Sequence, residues 1–414
     1  MNKHIRDIAA EIGSGITPLR STIRFWNSND IPWVKTEQLG AYQIFDAYEY
    51  ISRVAVEETN IRIWPANTVT VAMYGEGKTR GSVSMLMNPM ATNQACCNII
   101  VNPQEADFRF LYYWIKTNYR QLRALSSGVR KNLNSDDIKG FPFPSIDVTY
   151  QTKIADVLSS LDNKIQNNAS ICAELEAMAK TLYDYWFTQF DFPDDEKPYR
   201  SSGGEMVWNE QLKRKIPKGW EVGHLSDIAN ITMGQSPAGE TYNEDGEGTV
   251  FYQGCTDFGT RFPEPRVYTT APTRFAKAGD ILMSVRAPVG TINIAMEDCC
   301  IGRGLAALNS KSGSQLYLLY TLSGFKQLFD VMDGNGTTFG SITKDALFEM
   351  KVVVPKSGLL NAFEKIVQPI EKRIRATEQE NRELTKLRDW LLPMLMNGQA
   401  KVEELLPLRE RLKF

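Results

Sequence analysis

Ala72-Met-Tyr-Gly-Glu-Gly-Lys-Thr79 is the segment whose residue types come nearest to catalytic chemistry. A phosphate loop wraps backbone N–H groups around a phosphate, supplies a lysine, and must open a helix whose N-terminus faces the anion. Here Ala72 replaces the usual glycine. The chain then continues as Arg80-Gly-Ser-Val-Ser-Met-Leu-Met-Asn-Pro89, a strand-and-turn pattern. A β-turn displaying Lys78 and Arg80 is the expectation, not a nucleotide site. Pro193-Asp-Asp-Glu-Lys197 has the residue types of a metal-dependent nuclease, but lies in a proline-flanked stretch with no strand to aim its carboxylates at one ion. Cys96, Cys97, Cys172, Cys255, Cys299 and Cys300 show no C-x-x-C spacing, and His4 and His224 have no cysteine or carboxylate at ligand spacing. Reduced, buried thiols and no zinc site follow. With no nucleophile elbow or dinucleotide glycine fingerprint either, the chain reads as non-catalytic.

The remaining candidates are polar and basic loops: Lys35 and Thr36, Lys78 and Arg80, Gln94, and Arg130, Lys131 and Asn132; later Gln253, Thr256, Arg286, Arg303, Asn335, Thr337 and Thr338. Arg, Lys, Asn and Gln are the side chains that match guanine and adenine edges in the major groove of DNA. Taken singly, each is also an ordinary solvated loop residue. Composition adds little. The net charge is −2, and residues 1–150 carry 16 basic against 14 acidic groups, residues 220–358 only 11 against 15. A DNA-binding chain of this charge needs local clusters or a partner to neutralise phosphates.

The elements that must hold these loops occur twice. Ile5, Asp7, Ile8 and Ala9 lead to Gly15-Ile-Thr-Pro18; Leu225, Asp227, Ile228 and Ala229 lead to Gly234-Gln-Ser-Pro237. Adding 209 carries Leu133, Asp136 and Ile138 onto Ile342, Asp345 and Leu347, and the later apolar positions follow the same shift. Two long copies indicate a duplicated domain rather than a solenoid. Residues 1–148 and 220–358 are the expected heads, each mixed α and β, with strands near 67–73 and 98–101 and helices near 108–120 and 315–323. Residues 149–187 and 359–397 are the expected long helices. Their seam runs through Ile154, Leu158, Leu161, Ile165, Leu175 and Leu182, and through Phe363, Val367, Ile370, Ile374, Leu384 and Leu391, in steps of three and four. Asn168, Thr377 and Asn381 interrupt it. Residues 188–219 lose all periodicity and read as a linker, and 398–414 as a tail beyond the Asn397-Gly398 cap. At ~1.5 Å per residue such helices reach on the order of 50 Å, and an antiparallel pair would set two heads apart. The fold class is α+β, with a pseudo-two-fold duplication. No run approaches a membrane span and the start lacks an apolar signal core, so the cytoplasm is the expected compartment.

These features resemble the specificity subunits of type I restriction-modification enzymes along nearly the whole chain. The likeness is carried by Asp7-Ile-Ala with Gly15-Ile-Thr-Pro18 and Asp30-Ile-Pro-Trp-Val-Lys-Thr36. Further on it rests on Ser201-Ser-Gly-Gly-Glu-Met-Val-Trp-Asn209, Ile216-Pro-Lys-Gly-Trp-Glu-Val222, Gly302-Arg-Gly304 and Ser341-Ile-Thr-Lys-Asp345. The resemblance implies two target-recognition domains like the DNA-reading domain of TaqI-type adenine methyltransferases, separated by an antiparallel helix pair. It implies double-stranded DNA with a bipartite asymmetric site, two modification (methyltransferase) subunits and restriction (motor-nuclease) subunits as partners. S-adenosylmethionine, Mg²⁺ and ATP would belong to those partners and none to this chain. The chain opens almost directly on the first copy, with less lead than the family pattern. The competing expectation from the residues alone is a coiled-coil scaffold with duplicated protein- or glycan-binding domains.

Overall fold

The computed structural model describes residues 3–126, 132–195, 197–334 and 340–402. Contacts gather the chain into two bodies, residues 1–170 with 377–414, and residues 171–376. The expected succession of head, helix, linker, head and helix is therefore not how the packing divides. Each long helix is shared, one half going to each body.

In the first body a five-stranded sheet has the order Ala9–Ser14, Cys96–Val101, Thr68–Ala72, Val83–Leu86, Gln43–Ile44, antiparallel except at the last pair. Every residue of Thr68–Ala72 and Val83–Leu86 is buried. That is why Thr70 and Asn98 satisfy each other: the Thr70 hydroxyl donates to Asn98 Oδ1 at 2.9 Å, and Asn98 Nδ2 donates to Thr92 Oγ1 at 2.8 Å. A smaller sheet joins Glu49–Ile51, Ile31–Val34 and Ala91–Thr92, the last two in parallel. Helix Phe108–Thr117 starts where Asp107 accepts from the backbone N–H groups of Arg109 and Phe110, and buries Phe110, Leu111, Tyr112, Tyr113 and Ile115.

The second body repeats the plan. Ala229–Met233, Leu305–Ser310, Ile281–Ser284 and Ile292–Ile294 form an antiparallel sheet in the corresponding order. Thr249–Tyr252 runs parallel to Cys299–Ile301, as Ile31–Val34 does to Ala91–Thr92. The helix expected near 315–323 extends over Gln315–Gly334, and the Glu364 carboxylate accepts from the Leu316 N–H at 2.6 Å at its start. Residues 188–219 are not an open linker. Met206–Asn209 pairs with Arg214–Pro217, and Phe192 stacks between Tyr199 and Trp220 with ring centroids 4.8 and 5.0 Å away. Phe187, Phe190, Phe192 and Trp220 are all buried. Their irregular spacing hides this small core from any test of periodicity, because a stack of rings needs no fixed repeat.

The long helices are Val148–Tyr183, which ends in a wider turn at Asp184–Thr188, and Ser357–Met396. Gly398, at φ +69°, closes the second as a left-handed C-cap. In the first body Ile154, Leu158 and Leu161 share one core with Leu384 and Leu391, with Ile165 partly buried against it. In the second body Phe363, Val367 and Ile374 pack with Cys172 and Ala179, and Leu175, Leu182 and Ile370 line the edge. The helices run antiparallel in both. Asn381 Nδ2 donates to the Ile165 carbonyl at 3.3 Å, Asn168 Nδ2 to Glu380 at 2.7 Å, and the Cys172 thiol to the Ile374 carbonyl at 3.9 Å. Asn168 and Asn381, two of the polar interruptions, thus bond across the seam, which pins its register. The same seam residues also pack on the heads, so each helix serves both its partner helix and a domain core.

Candidate nucleic-acid interface

Strand ends and their connecting loops converge into a rim on each head, and backbone hydrogen bonds assemble the two rims in the same order. In the first, Ile16 N donates to Thr92 O at 2.9 Å, Asn93 N to Val34 O at 3.0 Å, Met73 N to Ala95 O at 2.8 Å and Leu133 N to Met73 O at 3.0 Å. In the second, Gln235 N donates to Ile301 O at 3.0 Å, Gly302 N to Tyr252 O at 2.8 Å, Val285 N to Gly304 O at 2.9 Å and Ile342 N to Val285 O at 2.9 Å. Gly15 and Gly234 make the crossing possible. A Cβ on Gly15 would meet the Thr92 carbonyl oxygen at 2.1 Å, and one on Gly234 would meet that of Gly302 at 2.2 Å.

These links bring together Lys35, Thr36, Gln94, Asn132 and the turn bearing Lys78 and Arg80 in the first rim. They gather Gln253, Thr256, Arg286 and Arg303 in the second. Arg130, Lys131, Asn335, Thr337 and Thr338 lie outside the described residues. Gln94, Lys78, Gln253, Thr256, Arg286 and Arg303 are exposed. The turn at 73–82 joins two antiparallel strands and opens no helix, so the phosphate-loop geometry is not formed. Tyr119 donates its hydroxyl to the Lys78 carbonyl at 2.7 Å, tying the turn to the head.

The equivalent positions carry different chemistry. Lys35, following Val34, corresponds to Gln253, following Tyr252; Gln94, following Asn93, corresponds to Arg303, following Gly302. Lys35 Nζ sits 2.6 Å from Glu37 and 2.5 Å from Glu49, which raise its pKa above the ordinary lysine value. Glu49 is also paired with Arg20 at 2.6 Å, and that contact leads in holding its carboxyl below the usual range. Lys35 of the first rim is thus neutralised from within, while Lys78 on the turn is exposed and Gln94 accepts from the Thr17 hydroxyl. In the second rim, Gln253 accepts from Ser236 at 3.0 Å, and the Arg303 N–H reaches the same hydroxyl at 3.3 Å. Neither Arg286 nor Arg303 has a carboxylate within ion-pair distance among the described residues.

Thr17 and Ser236 carry no role in the residue-type reading, yet a signal for them exists. Both stand in the repeated Gly-x-Thr/Ser-Pro step, where the glycine crossing delivers a hydroxyl onto a rim glutamine. Arg123 was not legible at all. It lines an open cleft of about 560 Å³ with Gly75, Glu76, Gly77, Arg80 and Asn132, and its Nη1 donates to the Tyr119 hydroxyl at 2.6 Å. Only folding brings that helix residue beside the turn. All six thiols are unbridged; five are buried as expected, with Cys97 and Cys299 pushed up to about 12 by burial, whereas Cys255 is half-buried because it sits in the short turn of the second rim. Among the described residues, no group of three or more His, Cys, Asp or Glu could hold a metal ion, and no helix is long and apolar enough to cross a membrane.

Comparison with known proteins points the same way as the rims. The type I restriction modification DNA specificity domain matches residues 1–177 and 217–387. The specificity subunit of the type I restriction enzyme MjaIX from Methanocaldococcus jannaschii is 29% identical, over 97% of this chain and 94% of its own. A putative MjaX specificity subunit from the same organism is 32% identical over 66% of this chain and 63% of its own. The crystal structure of a type I restriction-modification S subunit from M. genitalium shares the fold, with a TM-score of 0.59 and 19% identity over 95% of both chains. Nothing among these matches supports a protein- or glycan-binding scaffold. The chain belongs to the type I restriction-modification DNA specificity family, as a non-catalytic subunit that recognises DNA.

Proposed function

We propose that each rim reads one half of a bipartite, asymmetric DNA site, and that the helix pair sets the gap and docks two modification subunits, with restriction subunits joining them. The supporting observation is the pair of rims itself: one backbone scaffold, built twice, with Lys35 and Gln94 in one copy where Gln253 and Arg303 stand in the other. An arginine fork matches the O6 and N7 acceptors of guanine, whereas a glutamine amide matches adenine N6 and N7. Two rims of different chemistry suit two different half-sites. Methyl transfer and cleavage would fall to the partner subunits, which would carry S-adenosylmethionine, Mg²⁺ and ATP. The cytoplasm, where such partners meet DNA, is the proposed compartment.

Methylation mapping of DNA from cells expressing the complex tests this. A two-part motif with one fixed gap is expected, and exchanging residues 1–148 for another head should change one half only. A change in both halves would defeat independent reading. Inserting four residues within 165–180 should lengthen the gap and leave both halves intact; an unchanged gap would remove the helices from that role.

A further inference from the structure

Adding 209 takes Asp162 on the first long helix to Glu371 on the second. Both acids face a junction of one head with both helices, but the cation arrives from different sources. In the first body, Asp162 accepts from Arg388 of the other helix at 2.6 Å and from the Tyr113 hydroxyl of the head at 2.7 Å. In the second body the cation belongs to the head. Arg261, with only 6% of its side chain exposed, donates from Nη1 to Glu176 on one helix at 2.9 Å and from Nη2 to Glu371 on the other. Its guanidinium lies 6.0 Å from the Tyr320 ring.

The backbone carrying Arg261 is itself held. Gly259 exchanges hydrogen bonds with the Asn293 side chain at 3.1 and 3.0 Å, and Ile294 N donates to the Arg261 carbonyl at 2.9 Å. Asn293 and Ile294 lie on Ile292–Ile294, a strand of the sheet that also contains Ile281–Ser284, from whose end Val285 reaches Gly304 of the rim. A rigid path therefore runs from the two helices through one guanidinium to the second rim. A planar fork fixes the angle between the two carboxylates it spans, one Nη to each; a lysine can bridge two acids, as Lys35 does, but its rotatable ammonium sets no such angle.

We propose that Arg261 is a positioning residue for the second head: by bridging Glu176 and Glu371 it fixes the angle of the Gln253–Arg303 rim on the helix pair, and with it the gap at which the second half-site is accepted. This rests on the half-site reading above. Releasing the bridge lets the head rock, and a shift of ~3.4 Å at the rim equals one base pair.

The test compares wild type, R261K and the charge-neutralised R261M/E176Q/E371Q in the full complex, by methylation mapping and by thermal melting. The triple variant buries no unpaired charge, so it is expected to melt close to wild type. It should keep both half-site sequences, yet methylate sites with gaps one base pair shorter or longer at roughly a tenth or more of the main signal, against background for wild type. R261K should show the same broadening to a smaller degree and serves alone if the triple variant does not fold. A single unchanged gap in a folded triple variant, or in R261K, would overturn the proposal. A wild-type methylome with no two-part motif would instead remove the half-site reading beneath it, a separate failure visible before any variant is scored.

Discussion

The two rims share a backbone and differ in how their charge is placed. In the first, Lys35 lies between Glu37 and Glu49, Glu49 is also held by Arg20, and the outward polar groups are the Gln94 amide and Lys78 on its turn. In the second, Arg286 and Arg303 stand exposed beside Gln253 and Ser236. The difference separates scaffold from tip. What repeats is what the crossing requires, namely the glycine, the hydroxyl after it and the order of backbone bonds. What varies is the side chain at the end of each loop. The junctions below the rims differ likewise, with a helix-borne Arg388 in one body and a head-borne Arg261 in the other.

The largest effect should come from breaking a junction. Asp162 is 3% exposed and paired with Arg388, so D162A should destabilise the first body by ~3–5 kcal/mol, seen as a lower denaturation midpoint. A midpoint within experimental scatter of wild type would show that the pair is dispensable. Next come the crossings: G234A forces a Cβ against the Gly302 and Leu305 carbonyls at 2.2 and 2.8 Å and should cost ~1–3 kcal/mol. Gel shifts should show the second half-site lost and the first retained, with G15A giving the mirror result. If both glycine variants impaired the same half, the two rims would not be separate readers.

At the tips, R303A and R286A should each weaken binding to the second half-site by ~1–3 kcal/mol if the guanidinium meets a base. A uniform loss over all sequences, with a shallower salt dependence, would make that contact a phosphate one. Q94A should relax the first half-site by about 1 kcal/mol, the scale of a neutral hydrogen bond. K35Q should do least, within ~0.5 kcal/mol and with the salt slope unchanged, because Glu37 and Glu49 already neutralise the charge. A marked drop in the salt slope for K35Q would mean that DNA displaces those carboxylates.

Much of the architecture was legible in residue order, because a helical period is local and a repeat at one fixed offset shows without folding. The seam from Ile154 to Leu182 and its copy from Phe363 to Leu391 announce long amphipathic helices, and Asn397-Gly398 announces an end. The small core of residues 188–219 was not legible, since Phe187, Phe190, Phe192, Tyr199 and Trp220 meet by stacking at no fixed spacing. Within the rims, residue type picked out Gln94, Gln253 and Arg303 but could not reveal that Lys35 is neutralised. The acids responsible are Glu37, two residues away, and Glu49, on another strand.

By itself, then, the order of residues determined the helical seams and the absence of a phosphate-loop sequence context, which depend on neighbours within a few positions, and the duplication, which a fixed offset of 209 displays without any folding. Tertiary structure alone decided which loops share a rim, which charges remain available on it, and how each head is bound to the helices. Those outcomes depend on groups distant in sequence meeting in space, as Arg261 comes within about 3 Å of both Glu176 and Glu371. Coulomb and hydrogen-bond energies fall off over that distance in space, whatever the separation along the chain.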